Sequence, residues 1–373
     1  MIISFEPRPS SAGQSAVTIA EKINSPDKFM KFQTSPSLHL APVPPLAGSS
    51  RRKLLQVSAA ALAAPWTLTH AAGQIAGGKT ITLVVSYAAG GGADLMARLI
   101  APRLAEALGQ TVVVDNKPGA SGQIAASQVA RATPDGTQLL LDASSFAVNP
   151  SLFPKLPYDS EKAFTPLAIL ALFPNVLVCS PQFEAKSVKD LIKLAKAKPG
   201  QISYASSGNG SAQHLAGAMF EERAGVSLVH VPYRGGGPAM NDVMAGQVPL
   251  FFANVASSLG QIQSGRLRPL AVTSRLRTRA LPEVPTMQEA GVAAYEVLEW
   301  NPVLGPAGMD PQVKSVLVAA LRKAMADPEV LGRIRALSGE VFPDGADGRV
   351  AAFLKAQQTQ WSTVVKDRKI TLG

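Results

Sequence analysis

The strongest constraint on the fold is a repeated junction in which a β-branched run stops at a small-residue loop and gives onto a helical pattern. Thr80-Ile81-Thr82-Leu83-Val84-Val85 is such a run, ended by Gly90-Gly91-Gly92. Ala93 to Leu108 follows with Leu95, Leu99 and Ala105 at helical spacing and stops at Gly109. Val112 to Val114 is the next strand, Asn116-Lys117-Pro118-Gly119 a turn, and a helix runs on to Ala130. Pro134-Asp135-Gly136 turns into a strand over Gln138 to Leu141. This alternation predicts a mostly parallel sheet covered by helices, an α/β protein.

The alternation recurs downstream. Strands are expected at Val176 to Val178, Ile202 to Ala205, Leu228 to Val231, Pro249 to Phe252 and Leu267 to Thr273. Helices are expected at Val188 to Ala197, from Ser211 through Glu222, at Gly237 to Met244, and in two or three pieces from Pro311 on. Two sets of α/β units followed by a helical tail predict two similar lobes with a cleft between them.

Residues 1–48 are rich in Ser and Pro and show no period, which reads as a disordered or mis-annotated leader. Ser50-Arg51-Arg52-Lys53 then precedes a short alanine-rich apolar run and Thr69-His70-Ala71-Ala72. A basic region, an apolar region and small residues make 49–73 an export signal. The adjacent arginines resemble a twin-arginine signal; the general secretory route is the alternative. The signal begins late, so Met30 is an alternative start. The run is about a dozen residues, short of the roughly 20 needed to span a membrane.

Composition removes several function classes. The 373-residue chain is 46% hydrophobic and 17% charged, enough apolar residues for a sizeable core. Cys179 is the lone cysteine, so disulfides within the chain and cysteine metal clusters are excluded. The four histidines are scattered, and Asp94, Asp115, Asp142 and Asp242 lack calcium-loop spacing, so neither a metal nor a cofactor is expected. The net charge of +10 falls to +6 once residues 1–73, with seven Lys/Arg and three Asp/Glu, are removed. Arg266, Arg268, Arg275, Arg277 and Arg279 cluster without interleaved aromatics. They predict a solvated face or a docking patch for a membrane partner, not a nucleic-acid stripe.

The chemistry concentrates in loops at helix starts. In Tyr87-Ala88-Ala89-Gly90-Gly91-Gly92-Ala93-Asp94, the glycines leave backbone N–H groups open at a helix N-terminus, where the dipole favours an anion. A side chain at Gly91 is expected to crowd that loop and to demand a disfavoured φ. The plain alternative is a tight turn with Asp94 in the first helical turn. Ser206-Ser207-Gly208-Asn209-Gly210-Ser211 is a second such loop, with Ser211 or Asn209 as helix cap and Ser206 and Ser207 as hydroxyl donors to a carboxylate. Tyr233-Arg234-Gly235-Gly236-Gly237-Pro238 is a third, whose Arg234 either pairs with a carboxylate or is solvated. His214 reads as a histidine packed under the second loop and His230 as core-edge; the nucleophile-elbow pattern of hydrolases is absent.

Taken in order, these segments resemble the Bug family, the periplasmic substrate-binding proteins of tripartite tricarboxylate transporters. The resemblance covers nearly all of residues 79–373. It is carried by Ser86 through Asp94 with Ala97-Arg98, by Val114-Asp115-Asn116-Lys117-Pro118-Gly119-Ala120-Ser121-Gly122, and by Pro134-Asp135-Gly136-Thr137. Tyr204 through Ser211 with His214-Leu215-Ala216, Val231-Pro232-Tyr233-Arg234-Gly235, Leu281-Pro282-Glu283-Val284-Pro285-Thr286, and Trp300 with Gly305-Pro306-Ala307-Gly308 extend it. It implies a type II periplasmic-binding-protein fold, two α/β lobes closing on a small carboxylated solute, here 79–175 plus 300–373 and 176–299. The binding role falls on Tyr87, Ala88, Gly90, Gly91, Asp94 and Ser144 in one lobe, and on Ser206, Ser207, Gly208, Ser211 and Tyr233 in the other. Ser86 and Ala88 stand where prolines are common in the family, so the first loop is expected to be less rigid. Pro249 replaces a usual aspartate. The resemblance implies a monomeric, non-enzymatic periplasmic protein partnered by a small organic acid and the membrane components of a transporter. A ligand sensor for a signalling kinase and a periplasmic serine hydrolase using His214 are the alternatives.

Overall fold

The computed structural model describes residues 75–342, 349–367 and Ile370. The leader and the export signal lie outside the described residues. Strand β1 (Ile81–Val85) is buried almost throughout, as its apolar run requires, and pairs in parallel with β2 (Val112–Asn116) and β3 (Gln138–Leu141). Helix α1 (Gly92–Leu108) and helix α2 (Gln123–Ala130) connect them. Gly109, in the left-handed region, ends α1 by donating its N–H to the Ala105 and Glu106 carbonyls.

A second parallel trio lies further along. Strand β5 (Ser203–Ser206) pairs in parallel with β6 (Val229–Pro232) and β7 (Leu250–Asn254). Helix α5 (Ala212–Ala224) follows β5, helix α6 (Gly236–Met244) follows β6, and helix α7 (Val255–Gln263) follows β7. Ser211 caps α5 by accepting the His214 N–H, and Asn254 caps α7 by accepting the Ala256 N–H.

The two trios are joined antiparallel, which corrects the expectation of a mostly parallel sheet. Strand β4 (Phe164–Cys179) is one continuous 16-residue strand. From Phe164 to Pro174 it pairs with β9 (Leu298–Pro306); from Asn175 to Cys179 it pairs with β7. Strand β8 (Arg268–Val272) also lies against its second half, and the short β10 (Glu340–Val341) against its first. The sequence reading found only Val176 to Val178 of β4 and none of β9. Pro166 and Pro174 in β4, and Pro302 and Pro306 in β9, interrupt the pattern by which strands are recognised. They are tolerated here at register shifts and partner changes. Helix α3 (Ser145–Leu152), which holds Pro150, was equally hidden.

Helix α4 (Val188–Ala197) covers the second trio's side of the chain, with Leu191 and Ala195 buried. Helices α8 (Pro311–Ala326), α9 (Pro328–Ala336) and α10 (Arg349–Asp367) complete the cover, the three helical pieces expected. Leu317 and Leu321 of α8 join Ile81, Leu83, Ile100 and Leu104 in one core. Trp361 and Leu354 of α10 join Phe146, Leu140 and Trp300 in another. Among the described residues no helix is long and apolar enough to cross a membrane. In the arginine cluster Arg266, Arg275, Arg277 and Arg279 are exposed, as the expected solvated face requires, and Arg268 is half-buried. Arg268 donates to the Pro181 and Phe183 carbonyls, while Arg275 and Arg277 pair with Glu296 and Glu289.

Candidate functional site

The three strand-to-helix loops converge on one place. Ala88 N–H donates to the Arg234 carbonyl at 3.2 Å, tying the first loop to the third. A Cβ placed on Gly237 would fall 2.3 Å from the Ala89 carbonyl oxygen, and one on Gly235 would fall 2.9 Å from the Ala88 nitrogen. A Cβ on Gly208 of the second loop would sit 3.1 Å from the Tyr233 carbonyl and 3.7 Å from Ser121 Oγ. Only residues without side chains let these backbones approach so closely.

The first loop is held from beneath. The Tyr87 hydroxyl donates to Ser145 Oγ at 2.6 Å, and Asn116 Nδ2 donates to the Tyr87 carbonyl at 2.9 Å. Burial pushes the Tyr87 phenol well above its ordinary pKa, with the nearby Asp142 adding to the effect. Asp94 directs its carboxylate back into the loop. It accepts the Gly90 N–H at 3.0 Å, Asn116 Nδ2 at 3.0 Å, and the Arg98 guanidinium. Burial would raise its pKa, but Arg98, the Gly90 N–H and Asn116 outweigh burial and hold it below the usual carboxylate range. Ser86 is fully buried and donates to Asp142, so the departures from proline leave a loop pinned by side chains. Backbone strain falls on Gly90, with φ of 82°; Gly91 has φ of −88°, so the expectation of a disfavoured φ at Gly91 is corrected.

The second loop closes on itself. Ser206 Oγ lies 2.6 Å from His230 Nε2, accepts the Gly208 N–H and donates to the Gly208 carbonyl. The His214 and His230 rings stack at 3.9 Å, and His214 Nδ1 accepts the Gly210 N–H. Burial lowers the His214 pKa to about 4; burial and the neighbouring His214 lower that of His230 to about 3. Both rings are therefore neutral at pH 7; they pack on each other, His214 accepts from Gly210, and His230 is the hydrogen-bond partner of Ser206. The serine–histidine contact is with His230, not His214. Neither ring is hydrogen-bonded to a carboxylate among the described residues, so no orienting acid completes a triad. Ser207 is buried, with Oγ 3.5 Å from where a Gly236 Cβ would be, and the Tyr233 hydroxyl donates to Asp242 at 2.6 Å. Arg234 is exposed. Ser144 begins α3 and is buried with no partner for its Oγ.

Residues not singled out from the sequence complete the surroundings. Gly119, Ala120, Ser121 and Gly122 all have positive φ, an unusual run that presents Ser121 to the second loop. Glu299 of β9 is buried and accepts Gln213 Nε2 at 2.6 Å and Asn254 Nδ2 at 3.1 Å. Gln213 also donates to Asn175 Oδ1, at the point where β4 changes partners. A Cβ on Gly92 would sit 3.0 Å from Glu299 Oε1. Glu299 thus joins the starts of α1, α5 and α7, and burial raises its pKa against the two amide donors. The available signals were a single charge inside an apolar strand for Glu299 and a charge closing Leu139-Leu140-Leu141 for Asp142. The arrangement places glycine backbone at helix N-termini beside neutral hydroxyls, with the Ala88 and Gly90 N–H groups already engaged by Arg234 and Asp94. Among the described residues no group of His, Cys, Asp and Glu could hold a metal.

The chain matches the family model described as tripartite tricarboxylate transporter family receptor over residues 96–370. It is 36% identical over 334 residues to the UPF0065 protein in the tcbD-tcbE intergenic region of Pseudomonas sp. strain P51, covering 89% of this chain and 99% of that one. Among solved structures it resembles the periplasmic binding protein BugD, at 37% identity and a TM-score of 0.76, over 78% of this chain and 98% of that one. Rpa4515 of R. palustris, determined with adipate, is 33% identical with a TM-score of 0.75, over 78% and 98% of the two chains. The two-lobed α/β arrangement is that of these periplasmic binding proteins.

Proposed function

Because the chain belongs to the tripartite tricarboxylate transporter receptor family, we propose that it captures a small carboxylated solute in the periplasm and delivers it to the membrane components of a tripartite transporter. The observation that carries this reading is the convergence of glycine-built loops, Gly90-Gly91 facing Gly235-Gly237, at the N-termini of α1 and α6. Open N–H groups at helix starts suit a carboxylate, and the dipole favours its charge. In this reading Tyr87, Ala88, Gly90 and Gly91 form one wall with Ser144. Ser206, Ser207, Gly208, Ser211 and Tyr233 form the other, and Asp94 holds the first wall in shape. The partner change of β4 at Pro174–Asn175 supports lobes of 79–175 plus 300–373 and 176–299, closing on the ligand as a monomer. The function is binding, with no chemistry at Ser206.

A thermal-shift screen of mono-, di- and tricarboxylates tests the reading. A ligand that binds only the folded state raises stability by about 2.7 kcal/mol at a hundredfold excess over Kd. At least one acid is expected to do so, and esters of the same acids are expected to pass unhydrolysed. A screen with no shift, or turnover lost in Ser206→Ala, overturns it.

Export is tested separately. Mass spectrometry of the periplasmic protein is expected to find a mature N-terminus between about residues 70 and 76, the ordinary width of such a boundary. Recovery of residues 1–48 in the exported protein contradicts removal of the leader.

A further inference from the structure

Two neighbouring polar atoms at the carboxyl end of β3 are buried without a partner: Asp142 Oδ2 and Ser144 Oγ. Asp142 is wholly shielded from solvent and Ser144 is 1% exposed. The other Asp142 oxygen is committed. Oδ1 accepts from Ser86 Oγ and, at 2.7 Å, from the Ala143 N–H. Ser86 follows β1 directly and leads into the first loop. Gly122, at φ of 88°, covers the carboxylate; a Cβ there would lie 3.0 Å from Oδ1 and 3.3 Å from Oδ2. Ser121, beside Gly122, faces Gly208 of the second loop. Asp142 therefore lies just past the carboxyl ends of β1 and β3, the edge of a parallel sheet at which α/β folds receive ligands.

Nothing in its surroundings neutralises this group. The titratable groups near it are Tyr87 and Tyr158, both phenols held neutral by burial, with Glu299 beyond Tyr87. From β9, Asn301 Nδ2 donates to the Asp142 main-chain carbonyl, not to its carboxylate. No Lys or Arg among the described residues forms an ion pair with it. Burial raises its pKa to about 6, opposed by Ser86 and the Ala143 N–H, so the carboxylate form predominates above neutral pH. A buried carboxylate oxygen without a donor is unfavourable, and a donor brought to it binds strongly.

Building on the carboxylate-binding reading, we infer that Asp142 determines specificity: its Oδ2 accepts a hydrogen bond from a hydroxyl or ammonium on the bound acid, so the protein selects hydroxy- or amino-substituted carboxylic acids over unsubstituted ones. The open backbone of the first loop takes the ligand carboxylate, Asp142 takes the donor, and Ser144 Oγ bonds the same substituent. A site built around a buried acceptor rejects a ligand lacking the matching donor far more strongly than a site offering only apolar contact.

Calorimetric titration at pH 7.5 with acids matched in chain length tests this: succinate, malate and aspartate, then glutarate, 2-hydroxyglutarate and glutamate, then adipate and 2-aminoadipate. At the length that fits, a substituted acid is expected to bind at least tenfold tighter than the plain one. Whether the hydroxy or the amino acid leads identifies the donor. Asp142→Asn keeps an oxygen for Ser86 and Ala143 but turns Oδ2 into an N–H donor, so the advantage of an amino acid is expected to vanish and that of a hydroxy acid, whose oxygen can accept from the new N–H, to fall, with melting curves confirming the fold. Should that variant not fold, the wild-type ratio still decides. Plain acids binding wild type as tightly as substituted ones, or Asp142→Asn retaining the wild-type ratio, overturns the inference. If no acid of any length binds, the carboxylate-binding reading itself falls.

Discussion

Gly237→Ala is expected to weaken ligand binding at least a hundredfold, by forcing the first and third loops apart. The added Cβ would sit 2.3 Å from the Ala89 carbonyl oxygen, a distance that real Cβ contacts do not reach. Backbone would have to yield, and the backbone here is fixed. Asn116 holds the Tyr87 carbonyl, Asp94 holds the Gly90 N–H, and Ala88 donates to Arg234. The variant therefore excludes the arrangement in which the first and third loops touch. A ligand that needs both loops then binds only through a rarer state, and its apparent affinity falls by that fraction. A hundredfold loss corresponds to about 2.7 kcal/mol. Within α6 the exchange of glycine for alanine favours the helix, by roughly up to 1 kcal/mol. Titration and melting curves run side by side separate the two effects. Gly260→Ala, in α7 with nothing within 4 Å of its Cβ position, is the control and should bind as wild type does. Wild-type affinity in Gly237→Ala would show that the loop contact plays no part in holding ligand.

Acidification below pH 6.5 is expected to destabilise the fold through the stacked pair His214 and His230. Both pKa values are lowered by burial, to about 4 and about 3, with His214 adding to the shift of His230. The unfolded chain therefore binds protons first as pH falls through about 6.5. The stabilisation is complete above that value and is lost progressively down to pH 3–4. For His214 alone the change is on the order of 3 kcal/mol. Asp142 works in the opposite sense, because burial raises its pKa to about 6. Its charged form is unfavourable in the fold, and that penalty is relieved between pH 6 and its ordinary value near 3.8. Denaturant midpoints from pH 7.5 to 4.5 should fall in wild type. They should fall much less in the double variant His214→Gln, His230→Gln, whose side chains can still accept from the Gly210 N–H and donate to Ser206 Oγ. The same pH dependence in wild type and double variant would mean that the rings are not held neutral.

Local chemistry explains what the sequence made legible. β1, α1 and the Gly109 stop, the Ser211 cap, and the glycines of all three loops declare themselves within a few residues. Their positions in the structure follow those signals. The long elements that escaped, the first half of β4, α3 and β9, are each interrupted by proline. Proline is a reliable local stop, and tertiary pairing with flanking strands overrides it here. Within the site, the glycine and serine residues were recognisable as loop formers, but which of them are already satisfied was not. Ser206 is engaged by His230, a residue 24 positions away, and Asp94 by Arg98 and Asn116. Asp142 and Glu299 became apparent only through burial, a property of the assembled molecule that no window of sequence holds.

Strand β4 pairs along its first half with β9 and along its second with β7 and β8, without a break. Register shifts at Pro166/Ala168, Ile169/Leu172 and Leu177/Val178 let each stretch keep its own facing, so a slip in one half is not forced on the other. What the two ladders share is the ribbon itself: sixteen residues carry the chain from the β9 ladder straight into the β7 ladder, with no loop between them to act as a joint.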